Sequence, residues 1–330
     1  RGPGGRRMIT SRRRAADRRV VLLGPQHTTQ TVARAVEDLG VTGPVATITA
    51  GWEEREGEDA ELSHDLGGRT RNLSLYPRAE EVFAQDESVR ELFYERIRRM
   101  RELRSLYQLR LAPQLQTCRT LLERTDPAAP DALHGPEIEG AIAGIQSLDA
   151  EHLARTAELE SEISERMASP SRPAIERHRA ELADLLDGVD AVLIAGGHVG
   201  VLMGRLRLFD VFSTIPTTPV VAWSGGAIVV AERIVLFHDS PPQGRGNPEV
   251  HAPGLGLVSG LVALPHAADR LRLEDPARVS LFARRFAPDL CVAMDDGARI
   301  QIDGPRAAWR ATEATRILGT DGRVLEMQPA

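Results

Sequence analysis

The chain contains no lysine: all 41 of its basic residues are arginine. That absence excludes Schiff-base chemistry on a lysine, anchoring of pyridoxal phosphate and a phosphate-loop lysine. Cysteine is nearly absent too. Cys118 and Cys291 are too few for a disulfide framework, so a reducing cytoplasm is the expected compartment. Long apolar runs are missing, the longest being strand-sized and far short of a membrane span. The run from Val20 stops at Pro25, so no signal-peptide core follows the basic N-terminus. A net charge of -6 supplies no overall attraction to nucleic acid or anionic lipid, and neither is expected as a partner.

What remains is an ordinary globular composition, with 330 residues, 42% hydrophobic and 27% charged. Residues 1–19 read as a disordered basic arm, and residues 20–330 as a single domain. "RRVVLLGP" has the uniformly apolar character of a strand buried on both faces, and Gln26 to Leu39 reads as a helix ended by Gly40. "PVATITAGW" is a second strand, and the next is expected only at "DAVLIAGGHVG", residues 190–200. Between them lies a helical insertion, about 80–188. Val89, Leu92, Phe93, Ile97, Met100, Leu103, Leu106 and Tyr107 recur at helical spacing, and Pro113 is expected to bend or break that helix. A second pattern runs from Ile138 to Met167 and a third covers roughly 174 to 187. These segments predict a helical hairpin packed on the sheet or on a partner chain, with a lid over the site as the lesser alternative. After residue 190 strands and helices alternate again, and from Gly254 onward strands and hairpins dominate. The expected fold is a three-layer α/β domain with a parallel sheet, a helical insertion and a β-rich C-terminal edge.

The segment "PVVAWSGGAIVV" places Ser224 between two apolar runs, with the small residues Ala222 and Gly226 two positions away on either side. This is the spacing of a nucleophile elbow, a strained strand-to-helix turn that leaves no room for larger neighbours. A helix starting near Ala227 would aim its N-terminal dipole at the hydroxyl. His266 ends the run "GLVALPH" and is the candidate base, with Asp239 after "RIVLF" as its orienter and His238 and His251 as competitors. A second turn, "IAGG", offers the Gly197 N–H, which with that of Gly225 could form an oxyanion hole.

Four ordered motifs, "IAGG", "AWSGGA", "GLGLVSGLVALPH" and "AMDDGARIQIDG", resemble the aspartyl dipeptidase (peptidase E) and cyanophycinase family of serine hydrolases. The match is good over residues 190–310 and loose over the first two strands. The resemblance implies a class I glutamine-amidotransferase-like, flavodoxin-like fold. It implies Ser224 as nucleophile, His266 as general base, Asp239 as orienter, and Gly197 with Gly225 at the oxyanion. It also implies an arginine beyond the histidine, Arg270 or Arg272, for an acidic substrate group, and Asp296 near a substrate amine, with a turn-capping role for that aspartate as the equal alternative. Gly225 stands where the family commonly has alanine, and the helical insertion far exceeds the family's usual segment.

Together these residues predict a serine-type peptidase that cleaves an amide bond of a small peptide or isopeptide through an acyl-enzyme on Ser224, without metal or cofactor. The alternative is a non-catalytic binding or assembly module on the same fold, with the inserted helices as its working surface. A glutamine amidotransferase would need a cysteine in the elbow, and neither cysteine occupies one. The amphipathic helices make a homodimer an expectation of either reading.

Overall fold

The apolar run Arg19–Leu23 forms β1, and its residues alternate between two buried clusters on opposite faces of one sheet. The computed structural model describes residues 18–168, 171–238, 247–304, 309–312 and 314–327. Most of the basic arm, including residues 1–17, lies outside the described residues. Arg18 and Arg19 belong to the fold instead: Arg18 is buried and bonds the Ile215 carbonyl, and Arg19 opens β1.

After β1 come α1 (Val32–Asp38), β2 (Val45–Ile48), α2 (Ala60–Asp65) and β3 (Thr70–Asn72). The helices α3 (Leu75–Gln85), α4 (Glu87–Glu123), α5 (His134–Ala168) and α6 (Pro173–Leu186) follow without an intervening strand. Strand and helix then alternate through β4 (Ala191–Ile194), α7 (Val199–Phe209), β5 (Val220–Trp223) and α8 (Gly225–Val229). The rest comprises β6 (Arg233–Leu236), β7 (Glu249–Pro253), β8 (Leu261–Pro265), α9 (Ala267–Arg270) and α10 (Pro276–Phe286). The last strands are β9 (Leu290–Met294), β10 (Arg299–Asp303), β11 (Arg310–Ala311), β12 (Thr315–Leu318) and β13 (Val324–Glu326).

Among the described residues seven strands form a sheet in the order β11-β10-β1-β5-β4-β2-β3. The five strands from β1 to β3 in that order are parallel, and β10 and β11 run antiparallel at one edge. Val21, Leu193, Val221 and Trp223 face α1 and α2, whereas Val20, Ile194, Val220 and Ala222 face α3, α6, α7 and α8. Helices thus cover both faces of a mostly parallel sheet, which is why its strands are apolar throughout.

Several expectations are corrected. β3 is a short edge strand whose sequence, "TRN", carries no apolar signal. α1 starts at Val32, because Gln26 braces the preceding loop: its Oε1 accepts from the Thr31 N–H at 2.7 Å and its Nε2 donates to the Gly24 carbonyl at 3.1 Å. The C-terminal strands do not all extend the main sheet. β8, β9, β12 and β13 form a second sheet in which β8 and β9 are parallel. α4 runs through Pro113 without a break. The proline is exposed, and the carbonyl it leaves unpaired lies at the exposed Leu109, within reach of water. Buried Leu111, Leu115, Cys118 and Leu122 hold the flanking turns and offset the roughly 3 kcal/mol such a proline costs.

α4 and α5 form an antiparallel hairpin, paired along its length by Arg99–Glu162 at 2.6 Å, Arg110–Glu151 at 2.8 Å and Arg166–Glu95 at 2.7 Å. The hairpin packs on β7 and α10 of its own chain. Its anchor is a buried polar knot. The Tyr107 hydroxyl donates to Asp149 Oδ1 at 2.6 Å and accepts from the Val250 N–H at 3.2 Å. Arg285 grips Asp149 with two bonds, at 2.6 and 2.8 Å, and donates to the Pro248 carbonyl at 2.7 Å. Four elements therefore share one satisfied network. Asp149→Ala leaves the Arg285 charge buried and unpaired, and should lower the unfolding free energy by about 3–5 kcal/mol in urea titrations.

Candidate active site

Ser224 sits between β5 and α8 with φ 49° and ψ −122°, a conformation that costs a non-glycine residue about 1–3 kcal/mol. The surroundings impose it through close backbone packing. A Cβ on Gly226 would lie 2.3 Å from the Ile194 carbonyl oxygen, and one on Gly196 would lie 2.6 Å from Ser224 Cβ. Gly197, at φ 104°, would press a Cβ to 2.2 Å from the Gly51 carbonyl oxygen. The ends of β2, β4 and β5 thus meet at distances only glycine permits. The His198 N–H donates to the Gly51 carbonyl at 2.7 Å and fixes that contact.

α8 begins at Gly225 rather than near Ala227 and has only five residues, so a long helix dipole does not act here. What the turn offers is local. The Gly225 and Gly226 N–H groups belong to the first turn of a helix, where no intrahelical acceptor exists. Gly197 adjoins them, its nitrogen 3.4 Å from where a Gly225 Cβ would stand.

His266 follows β8 in the second sheet, with φ 59° and ψ 35°. Its Nε2 is 3.0 Å from Ser224 Oγ, a hydrogen-bond distance between residues 42 positions apart. Burial holds the imidazole below its ordinary value of 6.5, and the nearby Arg270 charge and His27 ring push it further down. The ring is therefore neutral at neutral pH, as a proton acceptor must be.

The segment Met294–Ala298 links the two sheets at this point. The Met294 carbonyl accepts from the His266 N–H at 3.0 Å, and the Ala298 carbonyl accepts from the Gly24 N–H at 2.9 Å. Asp295 Oδ1 accepts from the Ala268 N–H at 2.8 Å, while Oδ2 pairs with Arg316. Asp296 clamps the loop after β1, accepting from the Thr29 N–H at 3.1 Å and its hydroxyl at 2.6 Å. Its carboxylate thus clamps a loop, the alternative role expected of it, and Asp296 is not among the residues that line the cleft.

Ser224 and His266 open onto a cleft of about 910 Å³. Gly197, Gly225 and Arg270 line it as well; the exposed Arg272 does not. Burial lowers the Arg270 guanidinium from its usual range. Of the competing histidines, His238 lines the cleft, but the contact with Ser224 is made by His266. His251 does not line it; burial pushes its imidazole down to about 4 beside Glu249. Asp239 lies outside the described residues. Among the described residues, no group of three or more histidine, cysteine, aspartate or glutamate side chains could hold a metal ion, and both cysteines are buried.

Sequence reasoning missed three contributors. His27, whose ring centroid is 6.1 Å from that of His266, comes from the loop braced by Gln26, and nothing in the local sequence marks it. Trp52 lines the cleft directly after Gly51, a placement its position at a strand's carboxyl end could have suggested. Asp295, beside the residue singled out, fastens the segment that follows His266.

No family model and no curated protein matches the chain. Thirteen chains of solved structures match. One is the crystal structure of a peptidase from an acI-B1 Actinobacterium, 10% identical, with a TM-score of 0.47; the likeness covers 94% of this chain and 97% of that one. Such a remote likeness carries no inference about chemistry, which rests on the geometry above.

The close packing is directly testable. Gly226→Ala should lower the unfolding free energy by about 1–3 kcal/mol through its clash with a fixed carbonyl. Gly140→Ala, on an open face of α5, should raise it by about 0.5–1 kcal/mol. Thermal melts of the two variants check the contrast.

Proposed function

We propose that this protein is a serine hydrolase that cleaves an amide bond of a small peptide or isopeptide. The observation that carries the reading is the 3.0 Å contact between Ser224 Oγ and His266 Nε2 at the floor of the cleft, made by a serine in a strained backbone conformation. Neutral His266 takes the hydroxyl proton as Oγ attacks the substrate carbonyl. The N–H groups of Gly197 and Gly225 receive the developing oxyanion, a role in which each donor contributes about 3 kcal/mol to transition-state stabilisation. His266 then delivers the proton to the leaving nitrogen, the C–N bond breaks and an acyl-enzyme forms. A water molecule, deprotonated by the same imidazole, releases the acid and restores Ser224. Asp239 is the proposed orienter of His266. Arg270, the candidate arginine that lines the cleft, offers a guanidinium to a substrate carboxylate.

On this reading the fold is of the class I glutamine-amidotransferase-like, flavodoxin-like type, and the chain is similar in kind to peptidase E and cyanophycinase. The strand-end location of Ser224, beside the parallel sheet's glycine turns, supports that assignment.

Ser224→Ala should cut hydrolysis across a dipeptide panel about 10⁴-fold or more, measured as kcat/KM. Absence of hydrolysis by the wild-type protein across the panel would favour a binding module instead. The pH dependence follows from His266. Its folded value is depressed, so the neutral base persists on acidification to below 6.5. The acid limb of a kcat/KM profile should have its midpoint below 6.5, with a plateau above it. Arg270→Gln should move that midpoint upward by removing a neighbouring positive charge.

A further inference from the structure

The cleft lining is chemically mixed. Arg270 and His27 lie close to His266, and Pro265, Leu236, Phe237 and His238 line it as well. A further wall is built by one continuous apolar cluster. That wall consists of Trp52, Trp223, Leu62, Val32 and Ala33. It is no scattered surface patch: Val32 and Trp223 belong to the buried cluster between the sheet and α1, and Ala33, Trp52 and Leu62 pack against that cluster from its edge. The core of this layer therefore opens into the cleft at its upper end. Its rigidity comes from the core behind it, and Trp52 is placed by the backbone contact between Gly51 and Gly197. Exposed Glu58, Glu61 and Asp65 line the cleft too, the last two on α2 beside Leu62.

Resting on the hydrolase reading, we infer that this wall is the acyl-side specificity subsite and takes a bulky uncharged apolar or aromatic side chain. The argument from orientation is chemical. The leaving nitrogen must come within proton-transfer reach of His266, so the leaving group occupies the side of His266 and Arg270. The acyl group then extends past the Gly197 turn, towards Trp52. Preformed apolar walls with few polar groups favour apolar ligands. A carboxylate there would be desolvated against two indoles and faced by three acidic side chains, so acidic acyl-side residues are disfavoured. The substrate is thus an amphiphilic small amide, apolar on the acyl side and anionic on the leaving side.

The test compares phenylalanyl-glycine, alanyl-glycine and aspartyl-glycine as substrates. Wild-type kcat/KM for the phenylalanyl dipeptide should exceed that for the alanyl one by about tenfold or more, the usual worth of burying such a side chain. The aspartyl dipeptide should be the poorest. Trp52→Ala should reduce the phenylalanyl-to-alanyl ratio at least about fivefold. Ala33→Trp, which fills the space from a half-buried helical position, should do the same by obstruction, and covers the case in which Trp52→Ala does not fold. Equal kcat/KM for all three substrates, preference for the aspartyl one, or an unchanged ratio in both variants would overturn the subsite. Calorimetric binding of the same dipeptides to Ser224→Ala separates this failure from that of the hydrolase reading. Preferential binding of the phenylalanyl dipeptide without any wild-type turnover would retain the subsite and remove the enzyme.

Discussion

The arrangement at the cleft depends on how the Met294–Ala298 segment joins two sheets. Ser224 stands at the end of β5 in the seven-stranded sheet, and His266 at the end of β8 in the four-stranded one. Two junctions set their separation. α8, which follows Ser224, packs directly on β8, which precedes His266. The segment adds backbone hydrogen bonds, accepting from His266 at Met294 and from Gly24 at Ala298. Backbone bonds of this kind tolerate little displacement, and Asp295 and Asp296 reinforce them on either side. The 3.0 Å contact between side chains from different sheets rests on both junctions.

A second constraint acts from below. The glycines at 51, 196, 197 and 226 let three strand ends approach until a methyl group would collide with a carbonyl or, at Gly196, with Ser224 Cβ. That density holds Ser224 at positive φ, and the surrounding sheet offsets the local cost. The same approach sets Trp52 beside the Gly197 turn, so the apolar wall and the strained serine have one structural origin. The helical hairpin contributes differently. Its buried knot of Tyr107, Asp149 and Arg285 binds it to β7 and α10. Its reach into the cleft is through Arg104, which pairs with Glu249 at 2.5 Å.

Much of this architecture was legible in the sequence where the pattern is local. β1, β2, β4 and β5 announce themselves as apolar runs because both faces of the sheet are covered. The three long inserted helices show in the spacing of their buried residues, and the elbow shows in the small residues around Ser224. Legibility ended where geometry is nonlocal. β3 is polar, and only its pairing with β2 makes it a strand. The division of the C-terminal strands between two sheets depends on crossovers that no periodicity records. Pro113 signals a break, but tertiary packing on both flanking turns overrides it. At the site, His266 stood out as a partner for Ser224 by its place at a strand's carboxyl end, while Asp296 was open between a substrate contact and a turn, because its bonds to Thr29 join residues far apart in sequence. His27 and Trp52 enter the cleft from separate loops, and their convergence is a property of the fold alone.

The central claim is that the Ser224 hydroxyl is activated by the imidazole above it. Treatment of the native protein with a fluorophosphonate probe, followed by mapping of the modified peptide by mass spectrometry, tests it most directly. The account predicts a single adduct on Ser224 that is absent in His266→Ala. An unmodified Ser224 in folded protein, or an adduct on Ser224 that forms equally fast without His266, would contradict it.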